Sequence, residues 1–172
     1  SAVTGLGVST GEEVACTAVR AFGRHPALLA WYINDEQPVE RLPRLMDRRR
    51  LIRSLDPAHP IYAVMCQVPD LPLFGEAVDV YGIDPYPIVD PACNHIRLAR
   101  YAHDMAAQAV GTDRGLALWT VIQAHNLGAY DPQACRDPAY YRAAYRDPAG
   151  AEILALALLA ALRGAKGFLF YS

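Results

Sequence analysis

The chain has 172 residues, 53% of them hydrophobic, with sixteen basic residues against eighteen acidic ones and a formal charge of −2. A chain of this length buries about 70% of its unfolded surface, enough for one domain over residues 1–172 around a single core. The near balance of charge excludes the long-range field that draws in nucleic acid or an anionic membrane, so neither is expected as a partner.

The most apolar stretch, Ala151 to Leu162, falls short of the roughly 20 residues that span a bilayer, and it reads as a buried helix. Ser1 to Gly5 shows no charged region followed by an apolar one, so no signal peptide is visible. A truncated N-terminus would leave the same sequence, and a secreted or periplasmic location stays open. Cys16, Cys66, Cys93 and Cys135 lie far apart with no metal-ligand spacing, which predicts free thiols and no metal site.

In chain order, Thr10 and Glu13 have capping-box spacing, and Val14, Ala18 and Phe22 follow at helical intervals, predicting a helix that ends near Gly23. Leu28 to Ile33 is a short aromatic and β-branched run, a buried strand that stops in Asn34-Asp35-Glu36. Val39 to Leu55 reads as a helix with Pro43 in its first turns, stopped by Asp56-Pro57. Further strands are predicted at Pro60 to Cys66, Ala77 to Ile83, Leu116 to Gln123 and Gly167 to Tyr171. Asp90-Pro91 and Asp147-Pro148 have the form of an N-cap with proline at the first helical position, for helices stopping at Gly111 and Gly164. Val68 to Glu76 is too short for a full helix, and Ala124 to Arg146 reads as a long loop rich in tyrosine. The alternation implies an α/β fold with about five parallel strands and intervening helices, either doubly wound or part of a barrel. No GxGxxG or GxxxxGK[ST] follows a strand, so neither a dinucleotide nor a P-loop phosphate is indicated and no cofactor is expected.

Polar residues gather just after the strands, where parallel α/β proteins place their sites. Strict alternation puts Tyr32, Asn34 and Glu36 on one face of the first strand and turns Asp35 toward the rim. A partly desolvated Glu36 carboxyl would have the raised pKa needed to protonate a leaving oxygen; the competing reading is a rim carboxylate paired with arginine. The same alternation aims Val78, Val80, Gly82, Asp84 and Tyr86 inward, with Asp84 either lining a ligand site or accepting turn amides. Trp119, Val121, Gln123 and His125 share a face. Gln123 can position a ligand but cannot act as nucleophile or base, and His125 is a proton shuttle or a satisfied structural histidine. The loop tyrosines Tyr130, Tyr140, Tyr141 and Tyr145 read mainly as loop packing, with sugar stacking the alternative.

The run Arg24-His25-Pro26-Ala27-Leu28-Leu29-Ala30-Trp31-Tyr32-Ile33-Asn34-Asp35-Glu36 resembles the fourth-strand region of TIM-barrel glycoside hydrolases. Residues 79–87, 118–124 and 164–172 similarly resemble strands six, seven and eight, in the right order. The resemblance implies the C-terminal part of a (β/α)8 TIM barrel, strands four to eight, with Glu36 as acid/base. It places the usual nucleophile position at Gln123, and Gln37 separates Glu36 from Pro38 where the family pattern has Glu-Pro; both depart from simple retaining hydrolysis. Asp84 is the best second carboxyl, and Asp35 beside Glu36 also resembles hydrolases in which an aspartate orients the substrate's own acetamido group.

The function expected is hydrolysis of an O-glycosidic bond, with Glu36 as general acid and Asp84 as base or positioning group. The carbohydrate contacts expected are Asn34, Asp35, Tyr86, Trp119, Gln123 and His125. A non-catalytic carbohydrate-binding domain is the alternative, favoured by Gln123, and a structural or assembly domain is a third reading. Five strands cannot close an eight-stranded barrel of about 250 residues, so the missing N-terminal barrel part, or another chain, is expected to cover the open sheet edges, which otherwise favour aggregation.

Overall fold

The computed structural model describes residues 11–92, 95–111 and 115–172. Strands β1 (Trp31–Asp35), β2 (Ile61–Met65), β3 (Val80–Ile83), β4 (Ala117–Gln123) and β5 (Gly167–Tyr171) form one parallel sheet in the order β1-β2-β3-β4-β5. All five expected strands are present, each within a few residues of its expected bounds. The order never reverses, so the sheet has no switch point of the doubly wound kind.

The helices are α1 (Gly11–Phe22), α2 (Leu42–Leu55), α3 (Ile96–Val110), α4 (Pro138–Ala144) and α5 (Gly150–Leu162). Strand alternation divides the core in two. Trp31, Ile33, Ile61, Ala63, Met65, Tyr81, Ile83 and Leu118 pack with Val19 of α1, Leu45 and Ile52 of α2 and Ala102, Ala106 and Ala109 of α3. Ile122 joins Leu156 and Ala160 of α5. The opposite face carries Tyr62, Val64 and Val80 with Trp119 and Val121 against them. Helices α1, α2, α3 and α5 therefore pack on one side of the sheet and leave the other side to a cavity.

Several boundaries differ from the sequence expectation. The helix over residues 39–55 divides into a 3-10 turn, Val39–Arg41, and α2. Helix α3 starts at Ile96 because Asp90 closes a turn instead, accepting from the Ala92 N–H at 2.8 Å. Asp147 accepts from Asn126 Nδ2 at 3.0 Å, so α5 begins only at Gly150, where Glu152 takes the Ala149 N–H and both guanidinium arms of Arg146. Gly111 (φ 60°) and Gly164 (φ 90°) do end their helices in left-handed backbone. The connection over residues 124–146 contains a 3-10 turn, Leu127–Tyr130, and α4, whose Asp137 caps the Ala139 and Tyr140 amides. Val78 belongs to the helix-side core, since the strand begins only at Val80. Thr10 of the expected capping box and Cys93 lie outside the described residues, while Cys16, Cys66 and Cys135 are free thiols.

Two carboxylates organise the N-terminal end of the sheet. Asp56 accepts from Trp31 Nε1 at 2.9 Å and contacts His59 Nδ1 at 2.7 Å. Asp79 accepts from the Ile61 N–H at 2.9 Å and pairs with Arg49 at 3.0 Å and Arg53 at 2.9 Å, joining β2, α2 and the entry to β3. Burial alone would raise the Asp79 pKa, but the Ile61 amide and Arg49 outweigh it and hold the carboxyl below its ordinary value. A carboxyl whose pKa falls on folding adds stability above its unfolded pKa and loses it as pH falls through the folded one. We expect Asp79→Asn to lower stability by about 1–3 kcal/mol at neutral pH, with the difference shrinking toward pH ~3. Urea unfolding at the two pH values checks this; an equal loss at both would exclude the ionic origin.

Candidate active site

The site grows from an irregularity in β1. Pairing with β2 runs Trp31↔Ile61 and Tyr32↔Tyr62, then skips to Asn34↔Ala63 and Asp35↔Val64. This bulge breaks the alternation assumed from sequence, because one residue too many opposes β2. Asp35 thereby comes to the same face as Tyr32, whose hydroxyl donates to Asp35 Oδ1 at 2.5 Å. The expected turn of Asp35 toward the rim is corrected accordingly. Asn34 leaves that face: it is buried, and its Nδ2 donates to Val64 O at 3.2 Å, so its amide serves the bulge.

Glu36 follows with left-handed backbone, φ 52°, a conformation uncommon outside glycine. Strand β2 and its exit hold it there. The Glu36 N–H donates to Val64 O at 3.0 Å, and Gln67 Nε2 donates to Glu36 O at 3.1 Å. The Glu36 carboxyl and Asp84, at the end of β3, line one cavity, and Glu36 is close enough to bear on the Asp84 proton. The desolvation expected at Glu36 falls instead on Asp84: Glu36 is exposed, while Asp84 is 7% exposed. Burial, then Glu36 and Asp35, pushes the Asp84 carboxyl up to about 9. Tyr86 opposes the shift, and Asp84 Oδ1 has no hydrogen-bond partner among the described residues.

A cavity of about 940 Å³ opens beside these carboxyls on the helix-free face of the sheet. Its walls include Tyr32, Asp35, Glu36, Tyr62, Asp84, Tyr86, Trp119, Tyr130 and Tyr171. Tyr32 and Tyr62 lie 5.1 Å apart between ring centres, and Tyr62 and Trp119 5.3 Å. This aromatic row depends on two glycines. A Cβ on Gly82 would stand 2.6 Å from Ala63 O and 2.7 Å from the Tyr62 ring, and one on Gly167 would stand 2.7 Å from the Trp119 ring. Burial, followed by Asp35 at Tyr32 and by Asp84 at Tyr62 and Tyr86, raises all three phenols, which stay protonated donors. Burial first, with Glu36 and Asp84 next, pushes the Cys66 thiol up to about 11 and leaves it a poor nucleophile.

Of the other residues singled out from sequence, Tyr86 and Trp119 line the cavity. Gln123 is fully buried: it accepts from the Ile88 N–H at 2.8 Å and donates to Ile88 O, which ties the loop after β3 to the end of β4. No carboxyl replaces it there. His125 contacts Tyr171 O through Nδ1 at 3.1 Å and sits edge-on to Tyr86 and Tyr171, at 4.8 and 4.7 Å, while Nε2 is buried without a partner among the described residues. Tyr141 and Tyr145 cover Gly128, and Tyr145 bonds Asp131, so these loop tyrosines pack the connection as expected. Tyr130 differs, reaching the cavity and bonding the Tyr171 hydroxyl at 2.5 Å. Sequence reading passed over Tyr62 and Tyr171 as site residues, although alternation through β2 and β5 was available to place them. Among the described residues, no group of three or more His, Cys, Asp or Glu side chains could hold a metal ion.

We expect Gly82→Ala to destabilise the protein by about 1–3 kcal/mol and to change the near-ultraviolet circular dichroism of the Tyr62–Trp119 pair. Gly150→Ala, whose added Cβ meets nothing within 4 Å, is the neutral control. Equal behaviour of the two variants would contradict the interlock.

No protein-family profile matches the chain, and no curated protein matches it either. Solved structures do. The chain is similar to a candidate alpha-L-fucosidase of Bacteroides thetaiotaomicron, with a TM-score of 0.59 and 9% identity over 92% of this chain and 53% of that one. It is also similar to a GH2 beta-galacturonidase of Eisenbergiella tayi, solved with galacturonate, with a TM-score of 0.56 and 15% identity over 94% of this chain and 28% of that one. The chain spans about half or less of these proteins. At such identities the likeness is one of architecture: the chain shares with both an α/β fold, here built on a single parallel sheet.

Proposed function

We propose that this chain carries the proton-donating carboxyls of a glycoside hydrolase, on the strand-end rim of a (β/α)8-type sheet. The observation that supports this most is the placing of Glu36 and Asp84, carboxyls from the ends of β1 and β3 with β2 between them, on the wall of one aromatic cavity. Burial, with Glu36 and Asp35 beside it, keeps the Asp84 carboxyl protonated at neutral pH. Exposed Glu36 is the member of the pair that reaches a leaving oxygen, and buried Asp84 supplies the proton that it passes on.

Hydrolysis then runs as a balanced exchange. The pair gives its proton to the glycosidic oxygen as the bond to the anomeric carbon breaks. Water adds its hydroxide to that carbon and returns a proton to the pair. Asp35, steadied by the Tyr32 hydroxyl, faces the same cavity and stabilises the positive charge that develops on the sugar.

Activity on an aryl glycoside should fall as pH rises through about 9, where Asp84 loses its proton. Glu36→Gln and Asp84→Asn should each lower kcat by roughly 10²–10⁴. The Asp84 pKa rises on folding, so its burial weakens the fold increasingly from the ordinary carboxyl range upward. Asp84→Asn should therefore raise the Tm at pH 7, a gain that disappears below pH ~4. A rate unchanged across pH 8–10 would remove the pair as donor. Sugar binding without turnover would favour the second reading, a carbohydrate-binding domain, for which Gln123 in place of a carboxyl is the specific support.

The reading includes further β/α units, from this protein or another chain, against the open sheet edges. Supporting it, Phe168, Leu169 and Phe170 of β5 and Leu154, Leu158 and Leu162 of α5 are exposed together, Leu162 at 85%. The 172-residue chain alone should self-associate, and Leu158→Glu with Phe170→Lys should reduce this. A light-scattering mass equal to a monomer at high concentration would count against these units.

A further inference from the structure

The charge on the cavity wall says which sugars it can hold, a step that rests on the glycosidase reading of the same cavity. Three carboxyls line it, from Asp35, Glu36 and Asp84, and among the described residues lining it there is no lysine, arginine or histidine. Arg41, Arg44 and Arg48 line a second cavity of about 540 Å³, which shares only Tyr32 and Asp35 with the first. Arg48 moreover donates to Ile33 O at 2.8 Å.

Two buried atoms point to what is wanted there. Asp84 and Tyr62 are 7% and 6% exposed, both line the cavity, and neither Asp84 Oδ1 nor the Tyr62 hydroxyl has a hydrogen-bond partner among the described residues. Carboxyl oxygens call for donors, and a protonated amine offers three of them with no acceptor to conflict. The ring faces of Tyr62, Tyr86, Trp119 and Tyr171 also attract a cation.

We propose that this cavity selects by charge: it takes sugars that are neutral or carry a protonated amine, prefers the amine, and rejects sugars carrying a carboxylate or sulfate. A carboxylate brought into it meets three carboxyls and no counter-ion. The galacturonidase of similar fold was solved with galacturonate, and shared architecture does not bring that ligand to this wall.

Calorimetric titration of the isolated protein with methyl glycosides tests this in matched gluco and galacto series: neutral sugar, 2-amino sugar and uronate. In at least one series the amino sugar should bind about tenfold tighter than the neutral one, or ~1.4 kcal/mol, and the uronate at least roughly tenfold weaker. The amine's advantage should shrink between about 50 and 500 mM salt, and Asp35→Asn should lower amino-sugar affinity by a larger factor than neutral-sugar affinity. A uronate binding as well as the neutral sugar, an amine with no advantage, or no sugar bound in either series overturns the proposal. Turnover keeps the two readings apart. Hydrolysis of aryl uronides sinks charge selection and leaves the hydrolase standing, whereas the expected order of affinities in inactive protein upholds selection and sinks the hydrolase.

Discussion

Parallel pairing is the constraint on which the rest of this molecule depends. Each strand must return to the end where the last one began, and the crossovers that achieve this lie on one side of the sheet. All strand C-termini therefore meet at one rim, and one sheet face stays free of helices. The two ends of the sheet treat carboxyls in opposite ways. At the N-terminal end Asp56 and Asp79 receive amide, indole and guanidinium donors and are held below their ordinary pKa. At the C-terminal rim Asp84 is buried beside another carboxyl and driven far above it. The first arrangement joins elements together; the second stores an unfavourable group where a ligand can reach it.

The helix-free face is shaped by alternating size. Tyr62 lies over Gly82 of the next strand, and Trp119 over Gly167, so each large ring uses the space that a missing side chain leaves. This lets aromatic planes form a wall against the sheet. Gln123 takes no part in the wall; its amide imitates a strand residue for Ile88 and anchors the loop that carries Asp84 and Tyr86.

The strands were legible because each is a short apolar run bounded by polar or turn residues. Glu36, Asp84 and Tyr86 were legible from their place just after strands, and Trp119 from the face that alternation gives it in β4. The exchange between Asn34 and Asp35 was not, because a bulge adds a residue to one strand without altering composition or alternation. The partition of burial between Glu36 and Asp84 was equally hidden, since it depends on contacts between strands far apart in sequence. Asp90-Pro91 and Asp147-Pro148 misled for a different reason: an aspartate before proline serves a turn or a side-chain amide as readily as a helix cap.

The left-handed backbone of Glu36 sets stability and chemistry at odds in one residue. A side chain in that conformation costs about 1 kcal/mol relative to glycine, and Val64 and Gln67 hold it there from two sides. Glycine would relax the turn and delete the carboxyl in the same step. Drift toward a more robust chain thus leads away from acid chemistry at this position. On the proposed hydrolase reading, chains of this architecture that do not use the carboxyl should carry glycine or asparagine at the position of Glu36.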